Sequence, residues 1–159
     1  MSIKDYSKFY KSSTSTAHHA PFFPKNIFCV ISGSTGCGKT NLMQNLLFEN
    51  GYLNYGSIYV YSATLHQPAY KYIKERITKI ENDIFMVHKI RVKIGHYFDT
   101  DEEIIDPKEL DPKVNHIIIF DDIMLKDRTK IKEFFVLEDI IMLMYFICVS
   151  LFIKLQNIV

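Results

Sequence analysis

Apolar residues fall along this chain in two rhythms, and the order of the rhythms predicts an architecture. Residues 26–32 form a continuous run of β-formers, as expected of a strand buried on both faces of a parallel sheet. Leu42, Met43, Leu46 and Leu47 then recur at helical spacing, which predicts a helix over 39–50 that stops at Gly51. Gly56 leads into a second strand over 57–61. Pro68 opens a second helix, with Tyr70, Ile73 and Ile77 on one apolar stripe. In 84–98 Lys89, Arg91 and Lys93 alternate with Ile90, Val92 and Ile94, predicting one or two further strands with a basic and an apolar face. Such a basic face is a solvated surface or, more pointedly, a contact for a DNA backbone. An acidic loop over 99–111 precedes the last clear strand, residues 116–122. Strands alternating with helices imply an α/β domain built on a parallel sheet.

The turn between the first strand and the first helix changes the picture from fold to chemistry. Gly33, Ser34, Thr35, Gly36, Cys37, Gly38, Lys39 and Thr40 match G-x-x-x-x-G-K-[ST], the phosphate-binding P-loop. Gly33, Gly36 and Gly38 allow the turns and close backbone approach of a phosphate nest. The loop N–H groups and the helix N-terminus face the anion. Lys39 is expected to reach the β- and γ-phosphates of ATP, and the Thr40 hydroxyl to take one position on Mg²⁺. The bland alternative, a chance glycine turn, does not account for a strand before the loop and a helix after it.

The second half of such a site is a strand ending in acid. Ile117, Ile118, Ile119 and Phe120 run into Asp121 and Asp122. Ligands of open α/β sheets bind at the carboxyl ends of strands, so this run reads as a Walker B strand rather than a solvated acidic turn. Asp121 is expected to hold Mg²⁺, directly or through water, and Asp122 to orient or deprotonate the attacking water. The second acid points to ATP hydrolysis that drives movement.

Composition adds limits. With 159 residues the chain allows one domain, and 48% hydrophobic residues suffice for a core. A net charge of +1 gives no global nucleic-acid signature, so DNA contact would be local or created by assembly. Cys29, Cys37 and Cys148 lack C-x-x-C spacing and fit free thiols in a reducing, intracellular compartment. Cys37 reads as a space-filling loop position, and His18 with His19 as a solvated pair. No apolar leader is expected in the polar first residues. The layout is therefore a flexible arm over 1–24, a nucleotide-binding core over 25–136 and an apolar tail over 137–159.

Taken together, I-F-C-V-I-S-G-S-T-G-C-G-K-T, I-Y-V-Y-S-A-T-L-H-Q-P-A-Y and D-P-K-E-L-D-P before I-I-I-F-D-D-I-M resemble the genome-packaging ATPases of large DNA viruses, including the poxvirus type, and of Polinton/Maverick elements. These belong to the FtsK–HerA class of P-loop motors. The resemblance covers roughly residues 25–136. It implies a RecA-like P-loop NTPase, a parallel sheet with helices on both faces. It implies ATP hydrolysis by Lys39, Thr40, Asp121 and Asp122 with ATP and Mg²⁺, a homo-oligomeric ring, and double-stranded DNA as the partner moved. Location would then be a virion or the host cytoplasm or nucleus. A different class stays open beside it: a nucleotide-binding protein without motor activity, such as an inactive fragment or a small-molecule kinase.

The chain departs from that family after Val136. The family continues with G-R-H-N and a strand ending in a polar sensor, usually Gln, whereas this chain has Leu137, Glu138, Asp139 and then an apolar run to Ile153. Joining the last base of each codon to the first two of the next permits G-R-H-N-N-V-N-V-F-Y-L-C-Q-S, with Gln arising between Val149 and Ser150. The expectation is that residues from about 137 are out of frame and the fold incomplete at its C-terminus. The run from Ile140 to Ile153 is shorter than the ~20 residues that span a bilayer, so a buried strand or helix is expected rather than a membrane anchor.

Overall fold

The computed structural model describes Phe23, residues 27–34, 36–49, 52–99, 104–121 and Phe134, and the backbone of 141–148. The arm over 1–24, with His18 and His19, lies outside the described residues except for Phe23. Among the described residues five strands occur in chain order: β1 (Phe28–Gly33), β2 (Ser57–Ser62), β3 (Gly95–Phe98), β4 (His116–Asp121) and β5 (Ile141–Cys148). Two helices join the first three, α1 (Lys39–Phe48) and α2 (Pro68–His88). The sheet order is β1-β5-β4-β2-β3, and every pairing is parallel. The chain is thus an α/β fold on a parallel sheet.

The layering follows from handedness. Parallel crossovers are right-handed almost without exception. The β1-to-β2 and β2-to-β3 connections step the same way across the sheet, so α1 and α2 share one face. The β3-to-β4 connection steps back and carries its residues to the other face. The two cores record this division. On the helix side, Ile58 and Val60 of β2 and Ile117 and Ile119 of β4 pack with Met43 and Leu47 of α1 and Tyr70, Ile73 and Ile77 of α2. On the other side, Tyr61, Ile118 and Phe120 pack with Ile104, Leu110 and Phe134. Alternate residues of one strand feed opposite cores, which explains why β4 is a continuous apolar run. The resemblance implies helices on both faces; among the described residues the second face carries a short 3-10 turn, Pro107–Glu109, and Phe134.

Three local expectations change. The apolar run over 26–32 predicts a strand buried on both faces. β1 instead lies at the sheet edge: Ile27 and Ile31 are buried, while Phe28 and Val30 are about half exposed (51% and 47%). Of the one or two strands expected over 84–98, one forms, β3, and it begins only at Gly95. The apolar stripe of α2 continues through Ile80 and Ile84, so helical burial overrides the alternation that follows. The helix ends at Lys89, whose left-handed φ of 59° lets its N–H bond the Phe85 carbonyl at 2.9 Å. Residues 89–93 are all exposed and lie outside any strand, so the basic and apolar faces do not form there. Glu81 brings the chain back: its Oε1 accepts from the N–H groups of Ile94 (2.6 Å) and Gly95 (3.1 Å), where β3 begins.

The apolar tail is partly a strand. The backbone of β5 pairs with β1 from Phe28↔Leu143 to Gly33↔Cys148, and with β4 from His116↔Ile141 to Asp121↔Phe146. Among the described residues no helix is long and apolar enough to cross a membrane.

Candidate functional site: the P-loop and the carboxyl ends of the strands

The loop between β1 and α1 has the conformation its glycines permit. Gly36 and Gly38 adopt φ of 79° and 91°, a region that costs other L-residues about 1–2 kcal/mol. Gly38 is the N-cap of α1, and no side chain caps that helix end or places an acid in its first turn. The first N–H groups of α1 are thus left to a ligand or water, and the helix dipole favours an anion. Gly33 is small for a different reason. A Cβ there would come closer than 3.0 Å to Cys37 Sγ, inside any ordinary contact.

Lys39 folds back over this loop. Its Nζ donates to the carbonyls of Gly33 (2.9 Å) and Ser34 (3.0 Å) and lies 4.0 Å from Cys37 Sγ. An ammonium held only by two backbone carbonyls beside a helix N-terminus is a cation that a docking anion could draw off. Thr40 is half-buried in the first turn of α1. Cys29 and Cys37 are free thiols; burial pushes the Cys29 thiol up from its ordinary value.

Asp121 is the last residue of β4 and lies in register with Ser62, the last of β2. Gly33 and Asp121 end their strands on the same edge of the sheet, separated by β5. Asp121 belongs to the helix-side set of β4, and its Oδ2 accepts a hydrogen bond from the Tyr70 hydroxyl of α2. Ser62 is fully buried; its Oγ lies 3.0 Å from Thr64 Oγ1 and accepts from the Thr64 N–H at 3.1 Å. Gln44 of α1 donates to the Ala69 carbonyl at 3.1 Å, fastening α1 to the first turn of α2.

Of the residues singled out from sequence, Gly33, Ser34, Gly36, Cys37, Gly38, Lys39 and Thr40 form one loop, and Asp121 ends a strand on that edge. Thr35 and Asp122 lie outside the described residues. Among the described residues no cluster of three metal-ligating side chains occurs. The Thr40 hydroxyl and Asp121 carboxylate are hard oxygen donors, a set that suits Mg²⁺, which keeps several waters and takes the rest of its shell from phosphates. Helical periodicity places Tyr70 in the core and says nothing of Asp121. The signal that could have linked them is chemical: a tyrosine on a buried stripe needs an acceptor for its hydroxyl.

A second polar cluster sits at the opposite, amino edge and belongs to the fold. His116 Nε2 meets the Asp111 carbonyl at 2.9 Å, so that nitrogen carries the proton, and the Ser57 hydroxyl donates to Nδ1 at 2.5 Å. Both residues are buried and their hydrogen bonds are satisfied.

No protein-family profile, curated protein or solved structure matches the chain.

Proposed function

We propose that this chain is the ATP-binding and ATP-hydrolysing subunit of a DNA-translocating motor of the genome-packaging type, or a degraded remnant of one. One observation carries the reading: a glycine loop with positive-φ Gly36 and Gly38 and a folded-back Lys39 shares a sheet edge with the Asp121 carboxylate. ATP would lie over the loop, its β- and γ-phosphates taking the place of the carbonyls on Lys39. Mg²⁺ would be held between Thr40 and Asp121, and when bound it would neutralise charge developing on the transferred phosphoryl group. Asp122 would orient the attacking water.

The RecA-like form of the sheet is part of the same proposal. β5 follows β4 in sequence and lies between β4 and β1, so its carboxyl end opens between Asp121 and the P-loop. A residue there would be placed to sense the γ-phosphate. In the offset frame the Gln codon arises just past Cys148, at the end of that strand; in this frame Val149 stands there. We therefore read the chain as able to bind ATP but poor at coupling it to DNA, with ring assembly and double-stranded DNA belonging to the intact form.

The test uses the full chain, a fluorescent ATP analogue and linear double-stranded DNA. Mg²⁺–ATP should bind, and Lys39→Ala should abolish binding and turnover together. Turnover should be slow and indifferent to DNA. Replacing residues from 137 onward with the offset-frame peptide, continued to the end of that frame, should restore DNA stimulation. Equal binding by the Lys39→Ala chain would overturn the nucleotide site. Strong DNA-stimulated turnover by the 159-residue chain would overturn the uncoupled reading.

A further inference from the structure

Resting on that reading of the site, we infer that Tyr70 is a positioning residue for the Asp121 carboxylate, and that α2 thereby sets how the site takes Mg²⁺. The two elements come from distant parts of the chain. Asp121 ends β4; Tyr70 lies in the first turn of α2, next to Ala69, whose carbonyl is bound by Gln44 of α1. The P-loop helix, the head of α2 and the Walker B carboxylate are therefore joined by side-chain hydrogen bonds in one sequence: Gln44 to Ala69, then Tyr70 to Asp121.

The burial of Tyr70 makes the contact directional. Its ring is 1% exposed and packs in the helix-side core with Ile73 and Ile77. A phenol so placed cannot swing out to water, and its hydroxyl holds the acceptor it has. That hydroxyl approaches Oδ2, so it fixes the rotation of the carboxylate about its own axis and with it the direction in which Oδ1 points. A metal-bound water needs that direction. Without that bond the carboxylate would still attract Mg²⁺ by charge but would hold its lone pairs toward the water less well. Neutral Tyr70 adds no net charge to the site; its hydroxyl favours the ionised carboxylate as well as orienting it.

The proposal separates metal from nucleotide. Tyr70→Phe keeps the ring in its core slot and removes one oxygen. It should leave binding of the nucleotide in EDTA unchanged and raise the Mg²⁺ concentration that half-saturates nucleotide binding and hydrolysis by about tenfold, the low end for losing a partner that orients a metal ligand. In an Asp121→Asn background the same change should add little, because the group Tyr70 orients is already altered.

The experiment is a Mg²⁺ titration of fluorescent-ATP binding and of phosphate release for the parent, Tyr70→Phe, Asp121→Asn and the double variant. Circular dichroism checks that each is folded. A tenfold rise in Tyr70→Phe that vanishes in the Asp121→Asn background supports the inference. An unchanged Mg²⁺ requirement in folded Tyr70→Phe overturns it, as does an equal effect in both backgrounds. If Tyr70→Phe does not fold, the parent carrying tyrosine labelled with ¹³C at Cζ supplies the readout: no tyrosine resonance moving on addition of Mg²⁺ to the nucleotide complex overturns the inference. Failure of the parent to bind Mg²⁺–ATP at all would overturn the nucleotide site itself, and this inference with it.

Discussion

Gly33→Ala gives a sharp test of the loop geometry, because the structure names the atom it would strike. The new methyl would overlap Cys37 Sγ, while Cys37 Cβ lies at 3.6 Å and Lys39 Cγ at 3.9 Å, both ordinary contacts. Gly33 has no positive φ, so the backbone itself does not object. The whole penalty therefore rests on one sulfur. Cys37 is exposed, so its side chain can turn away rather than force the strand apart. The expected cost is that of an off-rotamer side chain, about 1 kcal/mol, at the low end of overpacking penalties. That cost falls on the loop proposed to cradle phosphate, so it should appear as about fivefold weaker ATP binding as well as lower stability. Cys37→Ala removes the sulfur and leaves only the 3.6 Å contact. Gly33→Ala should then be nearly neutral in the Cys37→Ala background. Urea unfolding and fluorescent-ATP titration of the two single variants and the double would measure a coupling of about 1 kcal/mol. Equal effects of Gly33→Ala in both backgrounds would refute the assignment of the constraint to Cys37.

Two further outcomes are expected. Asp121→Asn should weaken Mg²⁺-dependent nucleotide binding, whereas Asp122→Asn should leave binding nearly intact and slow hydrolysis; equal loss of binding in both would contradict the division between metal and water. His96, stacked on Tyr59 at 4.5 Å, has its pKa lowered, first by burial and then by Lys93. The folded state therefore disfavours the imidazolium, so this contribution to stability is present above the unfolded value of about 6.5 and lost as pH falls through the lower folded value. The thermal midpoint of the parent should drop more between about pH 7 and pH 5 than that of His96→Gln, and identical pH profiles would sink the claim.

The glycine loop is legible from sequence because its physics is local. Glycines permit the turn, Lys39 and Thr40 follow at fixed spacing, and the helix they begin needs only its own periodicity. The strand ending in Asp121 is legible for a similar reason: a continuous apolar run ending in acid has few other readings in an α/β chain. The segment after α2 misleads because two periodicities overlap there. Lys89 to Ile94 alternates like a strand, yet the helical stripe ending at Ile84 is longer and buries more, so the helix runs on to His88. Propensity and alternation describe a residue's neighbours in sequence, while burial depends on neighbours in space.

By itself, then, the sequence determined the order of strand, glycine loop and helix, the apolar stripe of α2, the burial of Met43 and Leu47 in α1 but not the exposure of Leu42 (47%), and the chemical identity of Lys39, Thr40 and Asp121. Each of those depends on groups a few residues apart. The tertiary structure alone decided that β5 enters between β1 and β4, that both helices lie on one face, and that β1 leaves Phe28 and Val30 half exposed at the edge. It alone brought Tyr70 to Asp121, fifty-one positions away. The reason is the sheet: parallel strands close only through long crossovers, and the sequence carries no local record of which strands become neighbours.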